Sequence, residues 1–199
     1  MVDITLSRDT KIWIEGVHGK VGSNQKWSDT YVSGAGNSVS SSTVERGEFW
    51  VVREDGTQSQ IEKNFAVAPG HEVTVLWGNV KGISSGPYFV CRNYTANTTE
   101  YNETRGILKG IFNVYAAKEL KIKKQSFIAL CVSFSMLFFV NAIRSPAIFL
   151  LDVIVFVTSL VMTIRYHYAI KRLPKPFVAE LRAAIQKLLD DPAYIKSIS

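Results

Sequence analysis

The residue with the clearest capacity for chemistry is Asp152, which is the one charged residue in the apolar run 146–164. An ionised carboxylate at the centre of a membrane helix costs about 2.5–3.5 kcal/mol, so it is usually paired or functional. Asp152 lies only about 9 Å along a helix from Pro146. Asn141 and Arg144 are close enough in sequence to form a polar cluster with it. One hypothesis is an acid that handles protons or ions, or contacts a second helix in an oligomer. The other is a cluster that stabilises the turn between two helices.

The other reactive side chains form no recognised catalytic or metal-binding pattern. His18, His71 and His167 lack the spacing of a metal motif, and Cys91 and Cys131 form no C-x-x-C pair. The stretch SGAGNSVS lacks the third glycine of a dinucleotide-binding loop. The sequence therefore predicts a protein that is not an enzyme and has no catalytic residues, no bound metal and no cofactor.

Two long apolar runs dominate the second half of the chain. The run 126–143 has eighteen residues without a charge, and the run 146–164 has nineteen with one. About twenty apolar residues cross the hydrocarbon core of a bilayer. We therefore predict a transmembrane hairpin with a first helix at 126–143 and a second at 146–168, joined at a short tip.

Positive charge is concentrated on both sides of these runs. Residues 1–117 contain 11 Lys/Arg and 12 Asp/Glu, a net of −1, whereas residues 118–199 contain 12 and 5, a net of +7. Between the runs only Arg144 is basic, so the positive-inside rule places both flanks in the cytoplasm. The flanking basic residues, which we expect to meet a bilayer with anionic headgroups, are Lys118, Lys121, Lys123, Lys124, Arg165, Lys171, Arg172 and Lys175.

Three N-x-T motifs, at Asn93, Asn97 and Asn102, give the opposite indication, because such motifs carry glycans in secreted domains. The charge asymmetry outweighs them, and the first residues do not resemble a signal peptide. We predict a two-span integral membrane protein with both termini in the cytoplasm, in a bacterial inner membrane.

Residues 1–105 have the pattern of short strands joined by tight turns. Ile12 and Ile14 alternate with less apolar neighbours, and Asp55-Gly56 and Pro69-Gly70 mark turns. The order of elements is similar to that of SH3-like and OB-like barrels, so we expect a small all-β barrel or sandwich, a likeness that fixes no function. The stretch SGAGNSVSSST predicts a flexible connection or a loose edge.

Two further segments flank the predicted spans. Residues 106–125 predict a basic connector between the β-domain and the membrane. Residues 176–190 predict a C-terminal amphipathic helix that begins at a proline and ends before Asp191-Pro192. Its apolar stripe can pack on the β-domain, lie on the membrane surface or join two copies. The candidate interaction surface consists of Phe177, Leu181, Ile185 and Leu188.

These features predict an α+β membrane protein and support three functional hypotheses. The first is a non-catalytic scaffold that anchors the β-domain at the membrane and binds another membrane or cytoplasmic protein, or a second copy. The second is a subunit of a small oligomeric channel or transporter that uses Asp152. The third is a membrane-tethered sensor of nucleic acid or nucleotides. The net charge of −1 on residues 1–117 argues against a nucleic-acid partner, because neutralising phosphates supplies most such affinity.

Overall fold

The computed structural model describes residues 1–35, 38–102, 108–143 and 146–199. Within these ranges, residues 35, 38, 136–143, 146–149 and 152 are described by their backbone alone. Strands precede helices along the chain. The strands are β1 (Val2–Leu6), β2 (Thr10–Ala35), β3 (Ser38–Val52), β4 (Gln58–Ile61), β5 (Glu72–Val80), β6 (Tyr88–Asn93) and β7 (Thr98–Tyr101), and the helices are α1 (Lys109–Tyr115), α2 (Ala117–Ile143), α3 (Pro146–Arg172), α4 (Pro174–Leu189) and α5 (Pro192–Ser197).

The strands form one antiparallel sheet in the order β4-β3-β2-β5-β6-β7, and β1 pairs with the start of β2. Along one edge of β2, residues 12–20 pair with β5. Along the other edge, residues 10–14 of β2 pair with β1, and residues 20–35 pair with β3. Within the described ranges β4 and β7 do not pair with each other. The expected β-rich domain is therefore present as an open sheet with helices packed on it, not as a closed barrel.

The predicted strands and turns form where the sequence places them. Ile12 and Ile14 are buried on one face of β2, as their alternation requires. At the Asp55-Gly56 turn, Gly56 has a φ of 82°, which a residue with a side chain rarely adopts. Gly70 has a φ of 83° in the second predicted turn.

The centre of the sheet is buried on both faces. One face packs against α1, α4 and α5 in the larger core cluster, which includes Ile12, Ile14, Leu76, Phe112, Phe177, Leu181, Ile185 and Ile198. The other face packs against the segment between β4 and β5, in a cluster that includes Val17, Phe49, Ile61, Phe65, Val73 and Val75. The C-terminal residues also complete the sheet edge, because the N–H of His18 donates to the carbonyl of Ile198 at 2.9 Å.

Beyond the sheet, β2 and β3 continue as a two-stranded ribbon, which we call the arm and define as residues 25–35 paired with residues 38–48. No third described strand pairs with it. The stretch SGAGNSVSSST, predicted to be a flexible connection or a loose edge, contributes strand residues to this ribbon, with residues 36 and 37 outside the described ranges. Of the two alternatives, the flexible connection was wrong for the strand residues, because composition alone does not register cross-strand pairing.

Helices α2 and α3 pack along each other. Lys123 Nζ lies 3.4 Å from His167 Nδ1, and the rings of Phe134 and Phe156 lie 6.5 Å apart. Phe134 follows Lys123 by eleven residues in α2, whereas its partner Phe156 precedes His167 by eleven residues in α3. The two helices therefore run antiparallel. The predicted helices at 126–143 and 146–168 lie within them. Because α2 begins at Ala117, the predicted connector 106–125 contains α1 and the first turns of α2.

Helix α4 corresponds to the predicted amphipathic helix at 176–190 and begins two residues earlier. Its stripe packs inside the protein, because Phe177, Leu181 and Ile185 are buried in the larger core and Leu188 packs against it. Three of the four residues proposed as an interaction surface are therefore core residues in this fold, and the fourth, Leu188, is partly buried against that core. The sequence correctly indicated the helical spacing of the apolar residues in α4. That spacing does not specify whether protein, lipid or a second copy packs against them.

Candidate functional site: the helix pair, its base and the arm

The outer surface of the helix pair is apolar and uncovered. Within the described part of α3, exposed side chains include Leu150, Leu151, Ile154, Val157, Val161 and Ile164, and α2 exposes Phe127, Ile128, Val132 and Phe134. The buried seam between the helices contains the small residues Ser133 and Ser159, which allow close approach. The described side chains of the helix pair thus form an extensive exposed apolar surface, of the kind found at interaction sites with proteins or membranes.

Among the described residues, one helical stretch, Val153–Leu189, is long and apolar enough to cross a membrane. Only 11% of its apolar 18-residue window is buried in the protein. A soluble core helix would be mostly buried, so this exposure favours a lipid-facing segment. The structure thus contains one candidate span, and the side chains at the end of α2 lie outside the described part.

The antiparallel pairing brings the flanking basic residues to one end of the helix pair. Lys118, Lys121, Lys123 and Lys124 lie in the first two turns of α2, and Arg165, Lys171 and Arg172 lie in the last turns of α3. Lys175 follows in the first turn of α4. The close approach of Lys123 and His167 shows that the two basic segments are neighbours. This end has the charge expected of a surface beside anionic headgroups.

The turn between β1 and β2 fastens the sheet to the base of the helix pair. Arg8 donates to the carboxylate of Glu119 in the first turn of α2 at 2.5 Å. Ser7 donates from its hydroxyl to Glu180 of α4 at 2.7 Å, and its backbone N–H donates to the same carboxylate. The hydroxyl of Tyr115 also donates to Glu180, at 3.3 Å. One turn thus joins the sheet to α2 and α4.

The ion pair changes the titration of Glu119. Burial raises the pKa of this carboxyl, but hydrogen bonds from Arg8 and the backbone, together with the charges of Arg8 and Lys118, outweigh that effect. The net result is a pKa below the ordinary value for glutamate, so Glu119 is ionised at neutral pH.

The predicted polar cluster of Asn141, Arg144 and Asp152 falls outside the part that the structure describes in full. Asn141 and Asp152 are described by backbone alone, as residues of α2 and α3. Arg144 and the predicted tip lie outside the described ranges. Both hypotheses for Asp152 therefore stay predictions.

A polar network that sequence spacing did not indicate lies at the far end of the sheet. His18 Nδ1 is 2.8 Å from Thr74 Oγ1, which is 3.3 Å from the hydroxyl of Tyr94. On its other side, His18 Nε2 is 3.4 Å from Glu72. This order of carboxylate, imidazole and hydroxyl is that of a nucleophilic triad. Thr74 is fully buried, however, so its hydroxyl cannot reach a substrate.

Cys91 and Asn93 are structural residues of β6. Burial, and secondarily the charge of Glu100, raises the pKa of the Cys91 thiol to about 12, which makes it unreactive at neutral pH. The buried amide of Asn93 hydrogen-bonds His71 and the carbonyl of Ala66. A glycan on Asn93 would displace these contacts, so this N-x-T motif is explained by packing. Among the described residues there is no group of three His, Cys, Asp or Glu side chains that could hold a metal ion.

The arm presents aromatic and apolar side chains to solvent. On one of its faces, Trp27, Tyr31 and Val44 are 44%, 52% and 45% exposed. Arg46 lies among them, 2.6 Å from Asp29 and 3.1 Å from the hydroxyl of Tyr31. Tryptophan, tyrosine and arginine are the residues most enriched at energetically important positions of interfaces.

Comparisons of this chain with models of known protein families, with curated proteins and with solved structures found no match.

Proposed function

We propose that this chain is a two-span integral membrane protein that holds its sheet domain and arm at the cytoplasmic surface of a membrane, as a non-catalytic interaction scaffold. In this proposal the apolar parts of α2 and α3, residues 126–143 and 146–168, are the two spans, and the membrane is the bacterial inner membrane. The arm and the sheet are the parts available to partners.

The observation that carries this proposal is that residues before α2 and residues after α3 pack in the same core cluster. The polypeptide leaves the larger core after α1 and re-enters it at Ile170 and α4. The last buried residue of that core is Ile198, whose carbonyl accepts a hydrogen bond from β2. A single crossing would place the sheet and α4 on opposite sides of the membrane. Their common core therefore supports an even number of crossings.

The surface of the helix pair supports two crossings over none. In water, an apolar surface of this extent would drive aggregation, whereas in lipid it needs no protein cover. Both helices have 27 residues, about 40 Å at 1.5 Å per residue, which exceeds the thickness of a hydrocarbon core. Eight basic residues at one end and one basic residue between the runs support cytoplasmic placement of the sheet.

Thiol labelling of the full chain in intact cells tests the number of crossings. Cys131 is replaced by serine, and single cysteines are introduced by Ser84→Cys in the loop after β5 and by Ala193→Cys in α5, both at exposed positions. We expect a membrane-impermeant maleimide to label both sites only after the membrane is permeabilised. Cys91 is the internal control, because its buried thiol stays unlabelled until the protein unfolds.

Two results contradict the proposal. Labelling of Ser84→Cys and Ala193→Cys from opposite sides would mean one crossing. Release of the chain from membranes by alkaline carbonate would mean that it has no spans.

A further inference from the structure

A groove runs along the side of α4 that faces away from the core. It has a volume of about 720 Å³ and lies between α4 and Tyr101 at the end of β7. We call it the α4 groove. Its floor is formed by small apolar side chains of the helix, Val178, Ala179 and Ala183. Lys175 and Arg182 line the same groove, so an apolar floor adjoins two basic groups.

The charge of the α4 groove favours an anion. Among the described side chains that line it, Lys175 and Arg182 are basic and none is acidic. The two residues are two helical turns apart, about 10 Å, and both side chains are long enough to reach one phosphate between them. The guanidinium carbon of Arg182 lies 4.6 Å from the ring centre of Tyr101. Such stacking orients the guanidinium, whose planar fork of N–H donors matches the oxygens of a phosphate.

The acidic residues nearest in sequence have other contacts. Glu180 is the one acidic residue within α4, and its carboxylate accepts hydrogen bonds from Ser7 and Tyr115. Asp190, which follows the helix, accepts a hydrogen bond from Gln186 at 2.9 Å. Neither carboxylate lines the groove. An anion in the groove would therefore meet the two basic groups first.

The α4 groove begins beside the membrane in the two-span arrangement. The predicted second span ends at residue 168, and α3 continues to Arg172, which is about 6 Å further along the helix. The headgroup region on each side of a bilayer is about 5–7 Å thick. Only Leu173 separates α3 from α4. Lys175 therefore lies at the level of the headgroups.

Helix α4 does not lead straight away from this level. Glu180 contacts Ser7 beside β1, whereas Gln186 accepts a hydrogen bond from Tyr101 of β7. Since β2, β5 and β6 lie between β1 and β7, α4 crosses the strands. β2 leads away from the base of the helix pair, because the turn before it contacts the first turn of α2. A helix that crosses these strands stays closer to the base than one that follows them.

From its lining, charge and position, we propose that the α4 groove binds one anionic phospholipid of the cytoplasmic leaflet. The phosphate lies between Lys175 and Arg182, and the carbons next to it pack on the apolar floor. The proposal rests on the two-span membrane function above and names a ligand for its base. A soluble phosphate would leave the floor in water, and an uncharged lipid would leave the basic groups without a counter-ion.

Photocrosslinking of the full chain tests the position of the lipid. The protein is placed in vesicles of phosphatidylcholine and phosphatidylglycerol in equal parts, with a trace of phosphatidylglycerol that carries a diazirine on its acyl chain near the glycerol. We expect label on the α4 peptide as well as on the two spans. The same diazirine on phosphatidylcholine should label the α4 peptide several-fold less. Label confined to the spans, or equal label of α4 from both lipids, would overturn the proposal.

Substitutions of three basic residues of α4 test the role of charge. Lys175→Gln and Arg182→Gln should each lower the label on α4 about fivefold, because each basic group beside a membrane adds to the attraction of anionic lipid. Lys187→Gln is the matched control, since Lys187 is exposed on the same helix but does not line the groove. An equal loss for Lys187→Gln would indicate a diffuse attraction of headgroups and contradict a single site.

A bulky side chain in the groove supplies a readout that leaves the charge unchanged. Ala183→Trp should lower the label on α4 several-fold because the indole fills the floor, whereas Ala193→Trp, at an exposed position of α5, should not. Unchanged label in Ala183→Trp would overturn the proposal.

Two further measurements separate this site from its alternatives. Excess glycerol phosphate, which has the phosphate but no acyl chain, should leave the label on α4 unchanged. Loss of the label would assign the groove to a soluble phosphate and overturn the lipid site. Alkaline extraction of the same vesicles distinguishes the two proposals: an integral chain without label on α4 contradicts only the lipid site, whereas a chain that is released contradicts the two-span function.

Discussion

Helices α3 and α4 are separated by a single residue and are both rich in large apolar side chains, yet they place these side chains in different environments. In α4 they recur every three to four positions and are buried in the core with the sheet. In α3 they occur on all sides, so most of those described are covered only where they meet α2 or, at Ile170, the larger core, and Leu150 and Leu151 remain more than 60% exposed. The comparison shows that the period of the apolar residues, more than their number, decides whether protein can cover a helix.

The largest expected effect comes from truncating a buried residue of α4. Leu181→Ala removes a fully buried side chain, so we expect the free energy of unfolding to fall by about 2–5 kcal/mol. Val157→Ala in α3 is the control and should change it by less than about 0.5 kcal/mol, because that side chain is half exposed. Thermal unfolding in detergent, followed by tryptophan fluorescence, measures both. Equal losses would contradict the difference between the helices.

A charge on the exposed side of α3 tests whether lipid surrounds that helix. Val157 lies near the middle of the predicted span, so Val157→Asp should raise the free energy of insertion by about 2.5–3.5 kcal/mol. The measurement is the fraction of protein that resists alkaline extraction, with Val157→Leu as the control. If Val157→Asp inserts as well as the leucine variant, lipid does not surround this position.

The seam between α2 and α3 should tolerate less volume than the neighbouring surface. Ser159 is buried in the seam, so Ser159→Leu should destabilise the helix pair by about 1–3 kcal/mol through overpacking. Thr158→Leu, one residue away on the exposed side, is the matched control. Denaturation in detergent should separate the two variants, and similar midpoints would argue against close packing at Ser159.

The smallest effect concerns the ion pair that joins the sheet to α2. The lowered pKa of Glu119 means that its contribution to stability is present above the ordinary glutamate pKa and is lost as pH falls through the lowered value. Arg8 is 38% exposed, so Glu119→Gln should cost at most about 1 kcal/mol at neutral pH, and the cost should vanish in acid. Melting temperatures at several pH values, with exposed Glu54→Gln as the control, measure this. A cost for Glu119→Gln that persists unchanged in acid would exclude the ion pair as its origin.

The elements that the sequence predicted correctly are those whose cause is local. Ile12 and Ile14 are both buried because every second residue of a strand points to the same face. Asp55-Gly56 forms a turn because glycine adopts a positive φ without strain. The apolar period of α4 was equally visible. The apolar face of α4 is covered by the sheet, α1 and α5 together, and the sequence of α4 alone does not specify these neighbours.

The arm and the His18 network were missed for a similar reason. Serine and glycine have low strand preference, and only the pairing of residues 25–35 with residues 38–48 shows that the segment is a ribbon. Trp27 is exposed because its part of β2 extends beyond the rest of the sheet. His18 and Thr74 are 56 residues apart in sequence and meet only because β2 pairs with β5.

The shared core of the sheet and the C-terminal helices also sets an order of events during synthesis. The helix-covered face of β2 needs Phe177, Leu181, Ile185 and Ile198, which leave the ribosome after both long helices. Until then Ile12 and Ile14 are only partly covered by other side chains. The sheet therefore cannot complete its core before α2 and α3 have been synthesised. A ribosome stalled before α4 should therefore expose a protease-sensitive sheet, and release of the last residues should protect it.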